Sequence, residues 1–294
     1  MNMAWRTILA AAALVLTSHA QAQDAKLDAF LESVRAKYAL PALAAAVVKD
    51  GEVIASGAVG VRALGTDVPV TIDDRFHLGS DTKAMTATLA GMMVDEGKLR
   101  WDSTIGEVLG GKVQGMNPAL AAVTLEQLLS HTSGIPTDNQ EIADIYFNVN
   151  AFDFNLDTLR LKALDAWKTN EPRVPEGAPF QYSNLGYMIA GAMIETAAGK
   201  PWEELIHSRI FEPLGLETAG LGPQATFGKL DAPVGHKIAD GSDTPSAPIG
   251  SASSVTQMFW GAAADVPPLL GPAGVAHMSI EDFAKWAGWH AGKG

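Results

Sequence analysis

Two apolar runs, residues 43–48 and 53–61, flank the turn Lys49-Asp50-Gly51, and no other segment constrains the fold as strongly. Asp-Gly tolerates the positive φ that a tight connection needs, so the segment is predicted to be a β-hairpin. Gly57 and Gly60 in its second strand mark a close backbone approach or a bulge. Around the hairpin the apolar spacing turns helical. A helix is expected over residues 24–38, on Leu27, Phe30, Leu31 and Val34, with Pro41 ending it. Others are expected over 80–97, 125–130, 157–168, 185–198 and 202–211. Residues 222–272 are rich in Gly, Pro, Ser and Ala, show no clear period and read as loop. Ser279 opens a last helix, with Glu281 and Asp282 in its first turn, where carboxylates suit the positive end of the dipole. A hairpin followed by many helices predicts an α/β domain with helices inserted between parts of a sheet.

Composition narrows the class. With 47% hydrophobic and 18% charged residues over 294 positions, the chain can bury enough surface to fold. The absence of Cys excludes disulfide scaffolds, thiolate metal sites and a cysteine nucleophile. Asp and Glu number 33 against 21 Lys and Arg, a net charge of −12 and the wrong sign for a nucleic-acid partner.

The first residues read as a leader rather than as fold. Arg6 gives a positive start, residues 8–17 an apolar run, and Ala20-Gln21-Ala22 a cleavage site, so residues 1–22 are expected to be a secretory signal peptide. That run is too short to cross a bilayer, which takes about 20 residues, and no second run approaches that length. The expectation is a mature domain over residues 23–294, periplasmic or secreted, cut after Ala22 and without a stable membrane span.

The chemistry concentrates in two short motifs. Ser80-Asp81-Thr82-Lys83 is the only S-x-x-K in the chain, and it opens a helical pattern. Ser80 would then sit at a helix N-terminus, where developing negative charge is favoured. Lys83, one turn on, shares its face and can reach the Ser80 oxygen. A desolvated Lys has a lowered pKa and can accept the proton of a nucleophilic Ser. The plainer alternative is a capping Ser beside a solvated Lys. Tyr182-Ser183-Asn184 follows a loop at 175–181 and precedes the helix at 185. A Tyr hydroxyl near a cationic Lys can act as an acid or base, and Asn184 can orient Lys83 or a substrate amide. Here the alternative is a capping turn with a packed Tyr.

Taken in order, the KDG hairpin, RFHLGSDTK, LLSHTSG, PEGAPFQYSN and IFEPLGL resemble the serine β-lactamase and penicillin-binding superfamily. The nearest branch holds class C β-lactamases, D-Ala-D-Ala peptidases and related esterases, and the likeness runs from about Leu27 to Gly288. It implies a β-lactamase/transpeptidase-like fold, an antiparallel sheet flanked by helices with a helical subdomain. It also implies that Ser80 is the acylated nucleophile, Lys83 its activator, Tyr182 the acid/base partner and Asn184 a substrate-positioning residue. No E-x-x-L-N segment is present, so deacylation through a glutamate and water is not expected.

One element of the family is not found. No K-T-G occurs, and His290-Ala291-Gly292 fits H-x-G only on paper, because it trails a helical pattern. The expectation is therefore a chain lacking the family's closing strands, truncated at its C-terminus. His131-Thr132-Ser133-Gly134 is assigned a structural role, and Trp286 and Trp289 a core or helix-face role. Seven scattered His without H-E-x-x-H predict no metal, and no dinucleotide or Walker fingerprint predicts a cofactor. The function expected is an exported serine hydrolase forming an acyl-enzyme on an amide, β-lactam or ester. Its substrate would be a small molecule or a peptidoglycan-derived one. The alternative is a non-catalytic cell-wall or penicillin-binding protein that keeps the pocket. Oligomeric state is not readable from the sequence.

Overall fold

A computed structural model describes residues 23–148, 155–226, 228–238, 255–257 and 266–293. The leader assigned to residues 1–22 lies outside the described residues. The chain begins with α1 (Ala25–Tyr38), capped by Asp24, whose carboxylate accepts the N–H groups of Lys26 and Leu27 at 2.8 and 2.9 Å. Strands β1 (Ala42–Lys49) and β2 (Glu52–Gly60) form the antiparallel hairpin, and Asp50 and Gly51 take the positive φ values, 54° and 82°, of its turn. Its register shift falls between Val47 and Val48 of β1, which pair with Ala55 and Val53 and leave Ile54 of β2 as the extra residue, and not at the glycines of β2. Those glycines answer to close approach. A Cβ at Gly57 would lie 2.6 Å from Asp28 Oδ1 of α1, and one at Gly60, where φ is +101°, 2.3 Å from the Pro41 carbonyl.

Beyond the hairpin come β3 (Phe76–His77), α2 (Thr82–Asp95), α3 (Ile105–Leu109), α4 (Pro118–Ala121), α5 (Leu125–Leu129), α6 (Gln140–Asn148) and α7 (Leu156–Trp167). Then follow α8 (Asn184–Ala198), α9 (Trp202–Ile206), β4 (Gly220–Leu221), β5 (His236–Ile238), β6 (Val255–Gln257), α10 (Gly271–Gly274), β7 (Ala276–Met278) and α11 (Ile280–Gly288). Every residue of α8 from Leu185 to Glu195 is buried, as expected of a helix apolar on all sides, and α2, α3, α5 and α7 pack around it.

Three expectations are corrected. The helix predicted from residue 80 begins at Thr82, and Ser80 occupies a 3-10 turn, Gly79–Asp81, where the chain leaves β3. The helix over 202–211 is α9 followed by a π-type turn, His207–Phe211. The segment taken as loop at 222–272 contains, among its described residues, the antiparallel pair β5–β6 and a 3-10 turn, Pro268–Leu270. Short strands without alternation leave no period to detect.

The small sheet β3–β7–β4 positions the site. Phe76 pairs with Met278 and Gly220 with His277, both antiparallel. The Leu78 N–H donates to the Ala276 carbonyl at 2.9 Å, and the Ala276 N–H to Thr82 Oγ1 at 3.0 Å, which lays α10 against the start of α2. The hairpin is clamped between two helices. Adjacent residues of a strand face opposite sides; Gly57 lies under α1, while Ser56 Oγ donates to Glu281 of α11 at 3.0 Å. Trp286 is buried, and Trp289 stacks on it at 5.5 Å between ring centroids. His290-Ala291-Gly292 continues α11 into a π-type turn, Trp289–Lys293, with the His290 ring edge-on to Trp286, so it forms no strand.

Candidate active site

The four residues singled out in the sequence converge. Ser80 Oγ lies 2.5 Å from Tyr182 Oη and 3.1 Å from Lys83 Nζ. Lys83 Nζ also lies 2.8 Å from Asn184 Oδ1 and 2.7 Å from the Ala273 carbonyl. Its ammonium stands over the Tyr182 ring at 4.7 Å and the Tyr187 ring at 5.4 Å. Lys83 is buried and Ser80 exposed, an accessible oxygen above an inaccessible amine.

The ammonium of Lys83 can donate to Ser80 Oγ, Asn184 Oδ1 and the Ala273 carbonyl together, and counting donors assigns the protons of its neutral form. A neutral amine has two N–H groups and one lone pair. Asn184 Oδ1 and the Ala273 carbonyl can only accept, so they take the two N–H groups, and the lone pair is left facing Ser80, the partner able to donate. Ser80 Oγ, giving its hydrogen to Lys83, then accepts from the Tyr182 hydroxyl. Burial pushes the Lys83 ammonium below the usual lysine value, in the direction of the neutral form; Tyr182 and, more weakly, Asp138 pull the other way.

Asn184 cannot be turned over without loss. Its Nδ2 donates to Asp138 Oδ2 at 2.6 Å, and a carboxylate only accepts, so Oδ1 must be the atom facing Lys83. Asp138 Oδ1 in turn accepts from the Tyr146 hydroxyl at 3.0 Å. Asp138 and the Ala273 carbonyl are members of the site that the sequence reading missed. Asp138 directly precedes Asn139, which caps α6 by accepting the Ile142 N–H at 2.9 Å; that cap was readable, but it signals the helix and not a role for Asp138. A backbone carbonyl such as that of Ala273 carries no sequence signal.

His131 belongs to the scaffold, as assigned. Its carbonyl accepts the Gln181 N–H at 2.7 Å and its Nδ1 the Ser183 N–H at 3.1 Å, fixing the two residues that flank Tyr182. Nδ1 as acceptor places the ring proton on Nε2. The ring lies against Tyr182, 4.5 Å between centroids, and burial together with the Lys83 charge lowers its pKa. Thr137 Oγ1 donates to the Tyr182 carbonyl at 2.6 Å, and Ser183 Oγ caps α8 on the Gly186 N–H at 3.0 Å. Tyr182 therefore has little freedom to move.

Among the described residues no three His, Cys, Asp or Glu side chains group as metal ligands, and no helix is long and apolar enough to cross a membrane. A fold of helices around small antiparallel sheets, with a serine hydroxyl held against a buried Lys, is that of the serine β-lactamase and penicillin-binding class. The Beta-lactamase family model matches residues 27–294, and the chain belongs to that family. It is 31% identical over 268 residues to penicillin-binding protein 4 of Amycolatopsis lactamdurans, an alignment covering 90% of this chain and 62% of that protein. Among solved structures, a penicillin-binding protein homologue from Pyrococcus abyssi superposes with a TM-score of 0.65 at 24% identity, over 90% of this chain and 55% of that one. A β-lactamase/D-alanine carboxypeptidase from Pseudomonas syringae does so with a TM-score of 0.66 at 20% identity, over 92% and 67%. This chain thus spans well under the full length of the relatives it matches.

Proposed function

We propose that this chain is an exported serine hydrolase that forms an acyl-enzyme at Ser80 on an amide, β-lactam or ester. The observation that carries the reading is the pair of contacts on Ser80 Oγ, Lys83 Nζ at 3.1 Å and Tyr182 Oη at 2.5 Å. Neutral Lys83 removes the Ser80 proton as Oγ bonds to the carbonyl carbon. The Ser80 backbone N–H, close to the start of α2, supplies one donor to the developing oxyanion. As the carbon–leaving-group bond breaks, Tyr182 gives its proton to the departing nitrogen or oxygen and is reprotonated by the neighbouring Lys83 ammonium, which holds the proton taken from Ser80. Water then attacks the acyl-enzyme, surrenders its proton to the same network, and Ser80 is released. Residues 1–22 direct the chain to the periplasm or beyond.

The test treats the chain and its Ser80→Ala variant with a fluorophosphonate and a fluorescent penicillin. Covalent labelling that vanishes in Ser80→Ala is expected. Labelling that survives the substitution refutes the nucleophile assignment, and an unlabelled wild-type chain refutes the hydrolase reading. A penicillin adduct that persists without turnover instead supports a penicillin-binding role.

A further inference from the structure

We propose that Asp138 selects substrates carrying a cationic amine on the acyl side of the scissile carbonyl. The inference rests on the serine hydrolase reading and names the substrate class of that same site.

Asp138 is exposed and joined to the nucleophile by a short chain of contacts. The links Ser80 Oγ to Lys83 Nζ, Lys83 Nζ to Asn184 Oδ1, and Asn184 Nδ2 to Asp138 Oδ2 measure 3.1, 2.8 and 2.6 Å. Its position is built, not incidental. Thr137 before it is tied to the Tyr182 carbonyl, Asn139 after it caps α6, and Tyr146 on α6 holds Oδ1. The two groups that hold Asp138, an amide N–H and a phenol O–H, are both neutral. They occupy two of the four lone-pair sites of an ionised carboxylate, which leaves acceptor capacity and a negative charge at the mouth of the site.

Holding Asn184 does not by itself call for that charge. A neutral amide at position 138 would accept from Asn184 equally well. A carboxylate there works against the mechanism, because its charge favours the ammonium form of Lys83. A cationic group bound against Asp138 removes that opposition by neutralising the carboxylate and setting a like charge near Lys83. A free α-amine lies one carbon from the scissile carbonyl, on the acyl side, and at neutral pH it supplies a positive charge and three donors. An N-acylated amine supplies neither the charge nor more than one donor.

The experiment compares kcat/KM for alanine p-nitroanilide and N-acetylalanine p-nitroanilide, each as both enantiomers, in the wild type and in Asp138→Asn. The preference for the free amine is expected to fall at least tenfold in the variant. An equal loss on both substrates reduces Asp138 to a positioning residue for Asn184 and overturns the proposal. A second measurement needs only the wild type: alaninamide is expected to protect Ser80 from a fluorophosphonate at concentrations at least tenfold below propionamide. Equal protection overturns the proposal. Ser80 labelling with no preference for the amine refutes the substrate class alone, whereas absence of Ser80 labelling refutes the hydrolase reading and the inference with it.

Discussion

Replacing Gly191 by Ala is expected to disable the candidate site without touching Ser80, Lys83 or Tyr182. Gly191 lies in α8, and a Cβ built there would approach Pro272 Cγ to 2.3 Å and Pro272 Cβ to 2.9 Å. The obstacle is a proline ring, so no flexible side-chain end can swing away. Ordinary carbon contact needs roughly 3.6 Å, so the segment carrying Pro272 must retreat by about 1.3 Å. That segment supplies the Ala273 carbonyl to Lys83 at 2.7 Å and the Pro272 carbonyl to Thr86 at 2.8 Å. A retreat of that size stretches both contacts to about 4 Å, beyond hydrogen-bonding reach. Lys83 then loses one of the two acceptors that occupy its N–H groups, and its lone pair is no longer directed at Ser80. Two lost hydrogen bonds cost about 2 kcal/mol. Overpacking costs about 1–3 kcal/mol more, offset by about 1 kcal/mol from helix propensity. The expected outcome is a melting temperature several degrees lower and fluorophosphonate labelling of Ser80 slowed about 100-fold, the scale that a 1 Å misplacement produces. Gly91→Ala is the control, since its Cβ would meet Trp101 at no closer than 3.8 Å; it is expected to label and melt at least as well as wild type. Labelling within twofold of wild type in Gly191→Ala refutes the link from α8 packing to Lys83.

Two further substitutions test the buried groups beneath the site. Glu195 is pushed up to about 7 from 4.5 by burial, against the pull of Arg160, so the folded chain binds its proton more tightly than the unfolded one between those values. Its contribution is present below pH 4.5 and lost as pH rises through 7, so wild type should lose about 3 kcal/mol relative to Glu195→Gln between pH 4.5 and 8; a constant difference in urea melts refutes this. His131→Phe strands the buried Ser183 N–H and should cost about 1–3 kcal/mol at pH 8. Because burial holds His131 below its ordinary 6.5, wild-type stability should also fall as pH drops below that value, and parallel melts of the two proteins from pH 8 to 5 would show this wrong.

The sequence is most informative where structure is local. The hairpin, α1, α8 and α11 follow from turn chemistry and spacing alone, and S-x-x-K together with Y-x-N marks the four side chains that meet at Ser80. The short helix α3 escaped a search for periodicity because five residues hold barely more than one turn. Its capping box, Thr104 with Glu107, was readable all the same. The strands β3, β4 and β7 are two or three residues long, β3 pairing with β7 across some 200 positions and β4 with β7 across more than 50, and nothing within such a strand specifies its partner. Asp138 was hidden for a related reason. Its role depends on Asn184, 46 residues on, and on which way that amide is turned.

Lys83 shows how far the chemistry itself depends on such distant contacts. Ser80 and Lys83 are neighbours in sequence and would meet on any helix. In an open chain, however, Lys83 is an ordinary ammonium and cannot take a proton from a hydroxyl. The two acceptors that occupy its N–H groups come from 101 and 190 residues away, and the burial that lowers its pKa accompanies their arrival. In the proposed mechanism the S-x-x-K motif therefore specifies a place for a base, while closure of α8 and the segment around Ala273 makes the base. A perturbation that loosens either closure, even one that leaves Ser80, Lys83 and Tyr182 intact, returns Lys83 toward its ordinary charge and leaves Ser80 with a partner that can only donate.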